Sequence, residues 1–422
     1  MIPRLIMLTA LLTAWAGAAP LTLEEACRLS LLAQPRLQAA EARVERSQAF
    51  ERESWTPWNP RLGLEGNYTY TTPNATFNQG GQNIVFSQNN NYLATLRLTQ
   101  LIWNGGFYAS QAEARKWQVM IQQERSRETQ LQVEEEAGLA FLTTKSALEN
   151  VRLNEQQVSQ RQAQLKQSQL LFEKGTVPRY DVMRADAEVS RAQQELIETQ
   201  RLLLVRRSAL NSLLQQSVTE LADLPEPAPF PPATWEQAQN RPDLHVAALA
   251  LNEAQSRLDA ARTEHSPSLS FQGDIQQRNA VVAFPATQYN TGLVLSWPLY
   301  DQGQSAARSE QVEAELKELE AQAREVERVA RLEVEQLQAD VSTRYSAWLN
   351  VQKQCEAARE AQRIGQVRYE NGLSTEVERL DADLNYTRAL RDRIYARYEL
   401  GIAQCRLRRA LGQSQLAGSD SK

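Results

Sequence analysis

The chain reads QLIWNGGFYASQAEA at residues 100–114 and SWPLYDQGQSAARSE at residues 296–310. In both stretches an aromatic and a polar turn residue precede a glycine, which is Gly106 in the first and Gly303 in the second. Alternating polar and apolar residues come before each stretch, and alanine-rich, charged sequence follows it. Each stretch therefore predicts a strand that gives way to a helix, and one chain makes this transition twice.

The two stretches belong to an internal duplication. Pro60–Gly66 matches Pro267–Gly273, 207 positions later, whereas FEKGTVPRYDVMRADAE from Phe172 matches YENGLSTEVERLDADLN from Tyr369, 197 positions later. The first copy therefore has a loop about ten residues longer between its two strands. Between the copies, LADLPEPAPFPPATW is too rich in proline for a regular helix or a central strand. We predict a first repeat over 19–216, a linker over 217–240, a second repeat over 241–413 and a polar tail over 414–422.

Residues 1–18 have the layout of a secretory signal peptide: one cation, an apolar run, and small residues up to Ala18. A membrane-spanning helix is the alternative, but it needs about 20 apolar residues and a stop-transfer flank. We predict cleavage after Ala18 and export from the cytoplasm.

Composition limits the possible partners. A net charge of -5 and a pI near 5.5 argue against nucleic acid, which needs a basic surface. Three cysteines are too few and too scattered for a disulfide framework or a thiolate metal site, so we expect them to be small buried residues. No metal or catalytic role is predicted for the two histidines, because neither has neighbours at ligand spacing. These residues are Cys27, Cys355, Cys405, His245 and His265.

Four segments alternate between apolar and polar residues, so we predict four strands, each with one apolar and one polar face. A soluble sandwich could bury such an apolar face, whereas an outer-membrane barrel would turn it to lipid. Aromatic residues at the helix-proximal ends favour the membrane, where they would form an interfacial girdle. The predicted strands span about 61–72, 92–102, 268–277 and 288–299, and the aromatic residues are Trp55, Trp58, Trp103, Trp297 and Tyr300.

Four strands cannot close a barrel, and an open sheet edge is not tolerated in lipid. The chain must therefore pool its strands with identical copies. Two copies would give eight strands and a lumen filled by side chains, so a conducting pore favours three.

After each quoted stretch the sequence predicts a very long helix. Residues 107–171 would span roughly 100 Å. Mostly apolar residues recur every seven positions, which is typical of a coiled-coil seam. The seam positions are Ala137, Thr144, Val151, Val158, Leu165 and Phe172, and then Val334, Val341, Trp348, Cys355, Gln362 and Tyr369.

With the duplicated strand pair, the long helices, RPDL at Arg241 and the glycine-centred breaks, the sequence resembles the TolC family of outer-membrane efflux channels. The resemblance implies a mainly α-helical fold with a β-barrel portion. Three protomers would form a 12-stranded barrel in the outer membrane on a 12-helix periplasmic tunnel. Each quoted stretch would then be the point where a membrane strand becomes a tunnel helix.

The resemblance also implies roles for the breaks at Gly175 and Gly372, where a helix end needs positive φ. They would be periplasmic turns that close the entrance and dock an adaptor, together with Thr176, Val177, Leu373 and Ser374. Glu378 and Asp381 would form an acidic ring, and carboxylate rings favour cations. Tyr369 and Asp181 would lock the inner to the outer helices. Ser374 replaces an arginine of the family, so either the lock is weaker or Arg379 substitutes.

The predicted function is a passive homotrimeric conduit, without catalysis, cofactor or metal, since no phosphate-binding loop or nucleophile motif is present. Its partners would be a periplasmic adaptor, an inner-membrane transporter and outer-membrane lipid. A soluble secreted coiled-coil scaffold or adhesin is the second hypothesis, and it leaves the amphipathic strands unexplained. The cargo stays open among drugs, metal ions and polypeptides.

Overall fold

The computed structural model describes residues 20–73, 76–85, 89–279, 286–371 and 373–418. The predicted signal peptide and Gly372 lie outside the described residues. The helices are α1 Leu23–Ala33, α2 Pro35–Ser54, α3 Phe107–Glu173, α4 Arg179–Leu214, α5 Trp235–Ala238, α6 Pro242–Thr263, α7 Gln304–Glu370 and α8 Glu376–Ala410. The strands are β1 Arg61–Tyr70, β2 Thr76–Gln79, β3 Gln82–Val85, β4 Asn90–Trp103, β5 Ser268–Arg278 and β6 Thr287–Ser296.

The chain divides into two compact units, and each repeat contributes to both. A helical unit lies within Met1–Leu37, Glu128–Arg241 and Ala330–Lys422, and a sheet unit within Gln38–Arg127 and Pro242–Val329. None of the helices among the described residues is both long and apolar enough to cross a membrane.

The sheet unit contains one antiparallel four-stranded sheet in the order β1-β4-β5-β6. Its register places Leu64 beside Leu96, Leu96 beside Ile275, and Ile275 beside Tyr289, so one apolar row crosses all four strands. The neighbouring row, through Gly63, Arg97, Asp274 and Asn290, is polar apart from the glycine. The predicted alternation is therefore confirmed, and the apolar face is exposed on β1 and β6.

Two features of the strands differ most from the prediction: the end of β6 and an additional hairpin. β6 ends at Ser296 rather than near 299, because Pro298 has no N–H to continue the ladder. The long loop of the first repeat also contains a β2–β3 hairpin that the sequence analysis missed. Its two-residue turn is Gly80-Gly81, with φ values of 65° and 90° that favour glycine.

The two long helices agree with the predicted transitions. α3 and α7 each have 67 residues and follow glycines in the left-handed region, Gly106 at φ 94° and Gly303 at φ 82°. Positive φ explains why the turn of each copy ends on glycine.

The heptad seam is buried over much of its length. Ala137, Thr144 and Val151 are buried in α3, as are the seam positions of α7 from Val334 to Cys355. Burial falls off toward the ends of both helices, where Phe172 is exposed. All three cysteines are free and buried, as predicted.

The linker packs on the helices of the helical unit. Lys145, 1% exposed, donates from Nζ to Asp223 Oδ1 at 2.5 Å and to the carbonyl of Leu221 at 3.3 Å. The predicted linker also contains a single helical turn, α5, capped by Thr234. A buried lysine that is paired in this way fixes the linker against α3, because an unpaired buried charge would be costly.

Gly412 closes α8 and leaves no room for a side chain. Its φ is 68°, and a Cβ there would lie 2.8 Å from the carbonyl oxygen of Asn240. We expect Gly412→Ala to lower the free energy of unfolding by about 1–3 kcal/mol, through strain and steric overlap. Urea denaturation in detergent would measure this loss. Gly63→Ala is the control, because a Cβ at Gly63 would meet nothing within 4 Å. Equal midpoints for the two variants would contradict the expectation.

Candidate gate at the helix turns

The turns that follow α3 and α7 in the helical unit share a backbone hydrogen bond. After α3, Gly175 has a φ of 73°, and Thr176 N–H donates to the carbonyl of Leu171 at 2.9 Å. After α7, Leu373 N–H donates to the carbonyl of Arg368 at 2.8 Å. These bonds are equivalent in the two repeats and satisfy carbonyls that a helix end leaves free.

A cleft of about 970 Å³ lies beside these turns, within the helical unit. The last turns of α3 and α7 and the first turns of α4 and α8 line it. Val177, Asp181 and Tyr369 are among the lining residues. The structure thus brings the predicted lock residues to one cleft.

Glu376 is at the centre of a polar network in this cleft. Its carboxylate accepts from Arg379 at 2.6 and 3.1 Å and from Gln164 Nε2 at 2.7 Å, and it bonds the hydroxyl of Tyr369. Gln164 belongs to α3 and Glu376 to α8, so this bond joins one helical hairpin to the other. The network is a direct physical tie across the cleft.

Arg379 adds a second layer to the network. Its guanidinium lies 5.3 Å from the centroid of the Tyr369 ring and pairs with Asp383 at 3.1 Å. Its side chain is only 11% exposed. The sequence left two alternatives for the family arginine that is lost at Ser374: a weaker lock, or substitution by Arg379. The structure places the Arg379 guanidinium in the cleft with Tyr369 and Glu376. The Ser374 hydroxyl is enclosed and makes no hydrogen bond among the described residues.

The electrostatics of the cleft favour an ionised Glu376 that is paired with Arg379. Burial opposes ionisation of Glu376, but the hydrogen bonds and charge of Arg379, with the bonds from Tyr369 and Gln164, keep the pKa of this carboxyl below its usual value. Burial and the bond to Glu376 raise the pKa of the Tyr369 hydroxyl. Tyr369 therefore stays protonated and donates to an ionised Glu376.

Asp181, the partner predicted for Tyr369, acts on it differently from Glu376. Asp181 lines the cleft and acts on Tyr369 through its negative charge, whereas the hydroxyl bonds Glu376. Sequence reasoning missed Glu376, Gln164 and Asp383. One signal was available: Glu376 follows the helix cap Thr375 and precedes Arg379 by three residues, which is the spacing of a helical ion pair.

The two carboxylates assigned to the acidic ring are exposed, unlike Glu376. Glu378 completes a capping box with Thr375, and Asp381 accepts from Asn385 at 3.3 Å. Since positions three apart share a helix face, both carboxylates lie on one exposed side of α8.

The predicted interfacial aromatic residues all lie in the sheet unit. Trp55, Trp103, Trp297 and Tyr300 are exposed. Trp58 is half-buried, and its indole nitrogen is enclosed without a hydrogen bond in the described chain. Among the described residues no group of three or more His, Cys, Asp or Glu side chains is placed to hold a metal ion.

Acid should weaken the cleft network. Because the pKa of Glu376 is lowered in the folded chain, its contribution is fully present above about pH 4.3 and is lost as the pH falls through the lower folded value. We expect single-channel conductance to rise as the pH is lowered from about 5 to about 3. Glu376→Gln should conduct more at the higher pH and respond less to acid. An unchanged pH response in this variant would contradict the role of Glu376.

Comparison with known proteins shows the family of this chain. A model of the family described as outer membrane efflux protein matches residues 27–215 and 236–413, which is most of the chain. The chain belongs to the outer membrane efflux protein family. It is thus a channel for efflux in the outer membrane that extends into the periplasm, and the family is one of channels rather than enzymes.

Solved structures show the same fold as this efflux channel. A membrane protein from Pseudomonas aeruginosa is 21% identical, with 94% of this chain and 92% of that chain covered and a TM-score of 0.79. The Campylobacter jejuni CmeC outer membrane channel is 18% identical, with coverage of 92% and 85% and a TM-score of 0.78. The open state of the Neisseria gonorrhoeae MtrE outer membrane channel is 19% identical, with coverage of 93% and 89% and a TM-score of 0.77. A search of curated proteins found no match to the sequence of this chain.

Proposed function

We propose that three copies of the chain close a twelve-stranded barrel on a tunnel of helices, and that cargo passes passively through it. The observation that carries this proposal is the four-stranded sheet with an exposed apolar face. Within the described chain, β1 and β6 are the outer strands of that sheet. In lipid each outer strand needs a partner, because no water satisfies its free amides.

The two faces of the sheet suit lipid and water respectively. The row through Leu64, Leu96 and Ile275 would face lipid, and the row through Arg97 and Asp274 would face a wet lumen. Trp55, Trp58, Trp103, Trp297 and Tyr300 would then lie near the membrane surface. The predicted signal peptide, residues 1–18, would direct export.

The cleft network would hold the periplasmic entrance closed. Gln164, Glu376 and Arg379 tie the two helical hairpins, and an adaptor that binds the opened arrangement better would shift the channel toward it. The turns at Gly175–Val177 and at Gly372–Ser374 would dock this adaptor. Glu378 and Asp381 would give the constriction its negative charge. Energy would come from an inner-membrane transporter.

Cross-linking between strands tests the assembly. With Asn67→Cys in β1, a second cysteine is placed in turn at Gln288, Asn290 or Gly292 of β6, on the same face of the sheet. Oxidation should give ladders that end at three chains for at least one position. The natural cysteines are buried, so single variants serve as controls. Ladders that end at two chains, or no ladder at any position, would contradict the proposal.

The soluble scaffold considered from the sequence has no support in the family assignment. Extraction gives an independent check. A barrel protein needs detergent, whereas a scaffold would be released by salt.

A further inference from the structure

One side of α4 is apolar and lies open in the single chain. Ile197, Leu204 and Val205 are 63%, 67% and 52% exposed. Spacings of seven and eight residues place the three side chains on one face of the helix. α4 belongs to the helical unit and not to the sheet unit with its apolar row, so lipid is not the expected cover. A continuous apolar face on a helix in water indicates contact with another protein surface.

The second repeat shows what covers the equivalent face of α8. The residues 197 positions after the α4 face are Ile394, Gly401 and Ile402. Ile402 is buried in a core cluster that includes Phe141 and Leu142 of α3, and Ile394 packs against that cluster. Within one chain, a long helix of the first repeat therefore helps to cover this face of the second.

Three side-chain contacts define how α8 lies on α3. A Cβ at Gly401 would lie 3.3 Å from Leu142 Cδ1, so the two helices approach closely there. The residue numbers rise along α3 as they fall along α8, so the two helices run antiparallel. The contacting pairs are Gly138 with Cys405, Leu142 with Gly401, and Glu149 with Tyr398.

The alignment of the two repeats holds to the ends of these helices. Gln34 Nε2 donates to the carbonyl of Leu213 at 2.7 Å, and Arg241 Nη1 donates to the carbonyl of Ala410 at 2.8 Å. Gln34 and Arg241 are matched positions at the repeat starts, and Leu213 and Ala410 are 197 positions apart. The same offset therefore transfers the three contacts from α3 and α8 onto α7 and α4.

The transferred positions are open in the single chain. All six residues are exposed, whereas their six counterparts in α3 and α8 are buried or half-buried. α7 and α4 thus present two faces with the layout of the α3–α8 contact, and each face remains exposed in one chain. The transferred pairs are Glu335 with Ser208, Ala339 with Leu204, and Ser346 with Arg201.

Side-chain size supports this pairing. In the contact within the chain, the large residue Leu142 belongs to α3 and the small residue Gly401 to α8. In the transferred pair the sizes are exchanged, with Leu204 on α4 and Ala339 on α7. Two large residues would overpack such a contact and two small ones would leave a cavity. Each pair instead combines one leucine with one small residue.

We propose that α4 of one chain packs on α7 of the next, with Leu204 against Ala339, and so repeats between chains the contact that α8 makes with α3. The two faces differ, so the contact is head-to-tail, and such contacts form a closed ring when the rotation fits. This inference rests on the proposed assembly of three copies and identifies the helical faces that join them.

Cysteine cross-linking of the purified, full-length channel tests the contact. Leu204→Cys with Ala339→Cys is treated with a short bis-maleimide, which joins two thiols without the strict geometry of a disulfide. The natural cysteines are buried. We expect a ladder that ends at three chains. The control is Arg206→Cys with Ala339→Cys, which should stay at one chain. Arg206 is exposed and lies about 200° around α4 from Leu204.

An exchange of side chains tests the same contact without cross-linking. Leu204→Ala and Ala339→Leu should each lower the temperature at which half of the trimer dissociates in detergent, through a cavity and through overpacking respectively. The double variant restores one leucine and one alanine, so it should recover most of the loss. Losses that simply add in the double variant would show that the two residues do not meet.

The strand cysteines at Asn67 and in β6 separate this inference from the assembly on which it rests. Strand ladders that end at three chains, with the Leu204 and Ala339 pair left at one chain, would overturn the helical contact alone. That result is expected if a partner protein covers α4 instead. No ladder from either set would overturn the contact and the assembly together, and a ladder from the Arg206 control would also overturn the contact.

Discussion

Glu376→Ala should shift the channel toward its open state and raise its conductance in planar bilayers. The substitution removes the acceptor that Arg379, Tyr369 and Gln164 share, and with it the hydrogen bond between α3 and α8. Glu376 is partly exposed, so we allow about 1–2 kcal/mol per chain for the loss. That corresponds to a factor of roughly 5–30 in the ratio of open to closed forms.

Two variants make this prediction specific. Asp181→Ala should have a smaller effect, because Asp181 acts on Tyr369 only through its charge. Glu360→Ala is the matched control, since Glu360 pairs with Arg363 three residues away on the same exposed helix face. If Glu376→Ala conducts like Glu360→Ala, the closing role of the network is wrong.

The double variant Glu378→Gln with Asp381→Asn should reduce the cation preference of the channel. Two negative charges per chain leave the exposed side of α8, and rings of carboxylates select cations. Glutamine at 378 can still bond the backbone of Thr375, so the helix cap is preserved. We expect the reversal potential in a salt gradient to move most of the way to the value of a non-selective pore.

A matched double variant controls for total charge. Asp186→Asn with Glu198→Gln removes the same charge from exposed positions of α4. It should leave the reversal potential nearly unchanged. Equal shifts in the two double variants would mean that selectivity follows net charge and not the residues of the turn.

Much of the fold follows from periodicity in the sequence. Alternation predicts which residues share a sheet face, since register shifts by one residue would invert every side chain. Leu64, Leu96 and Ile275 accordingly share one row. The end of β6 was misplaced because the effect of Pro298 on the ladder was overlooked. The β2–β3 hairpin was missed, although its Gly80-Gly81 turn was a usable signal.

The cleft network could be predicted only in part. The resemblance directs attention to Tyr369 and Asp181. The group that accepts from the Tyr369 hydroxyl, however, depends on which side chains meet across two hairpins that are far apart in the sequence. The duplication offers a further clue. At the equivalent positions of the first repeat, Phe172 lacks the Tyr369 hydroxyl, Arg179 replaces Glu376, and Val182 replaces Arg379. The network has thus diverged between the repeats, and α8 contributes most of it.

Single-channel recording from a detergent-purified oligomer of known mass would show whether three chains form one gated pore. We expect the mass of three chains and small, cation-selective current steps that grow in Glu376→Ala. A monomer, or a trimer whose current is the same with and without Glu376, would contradict it.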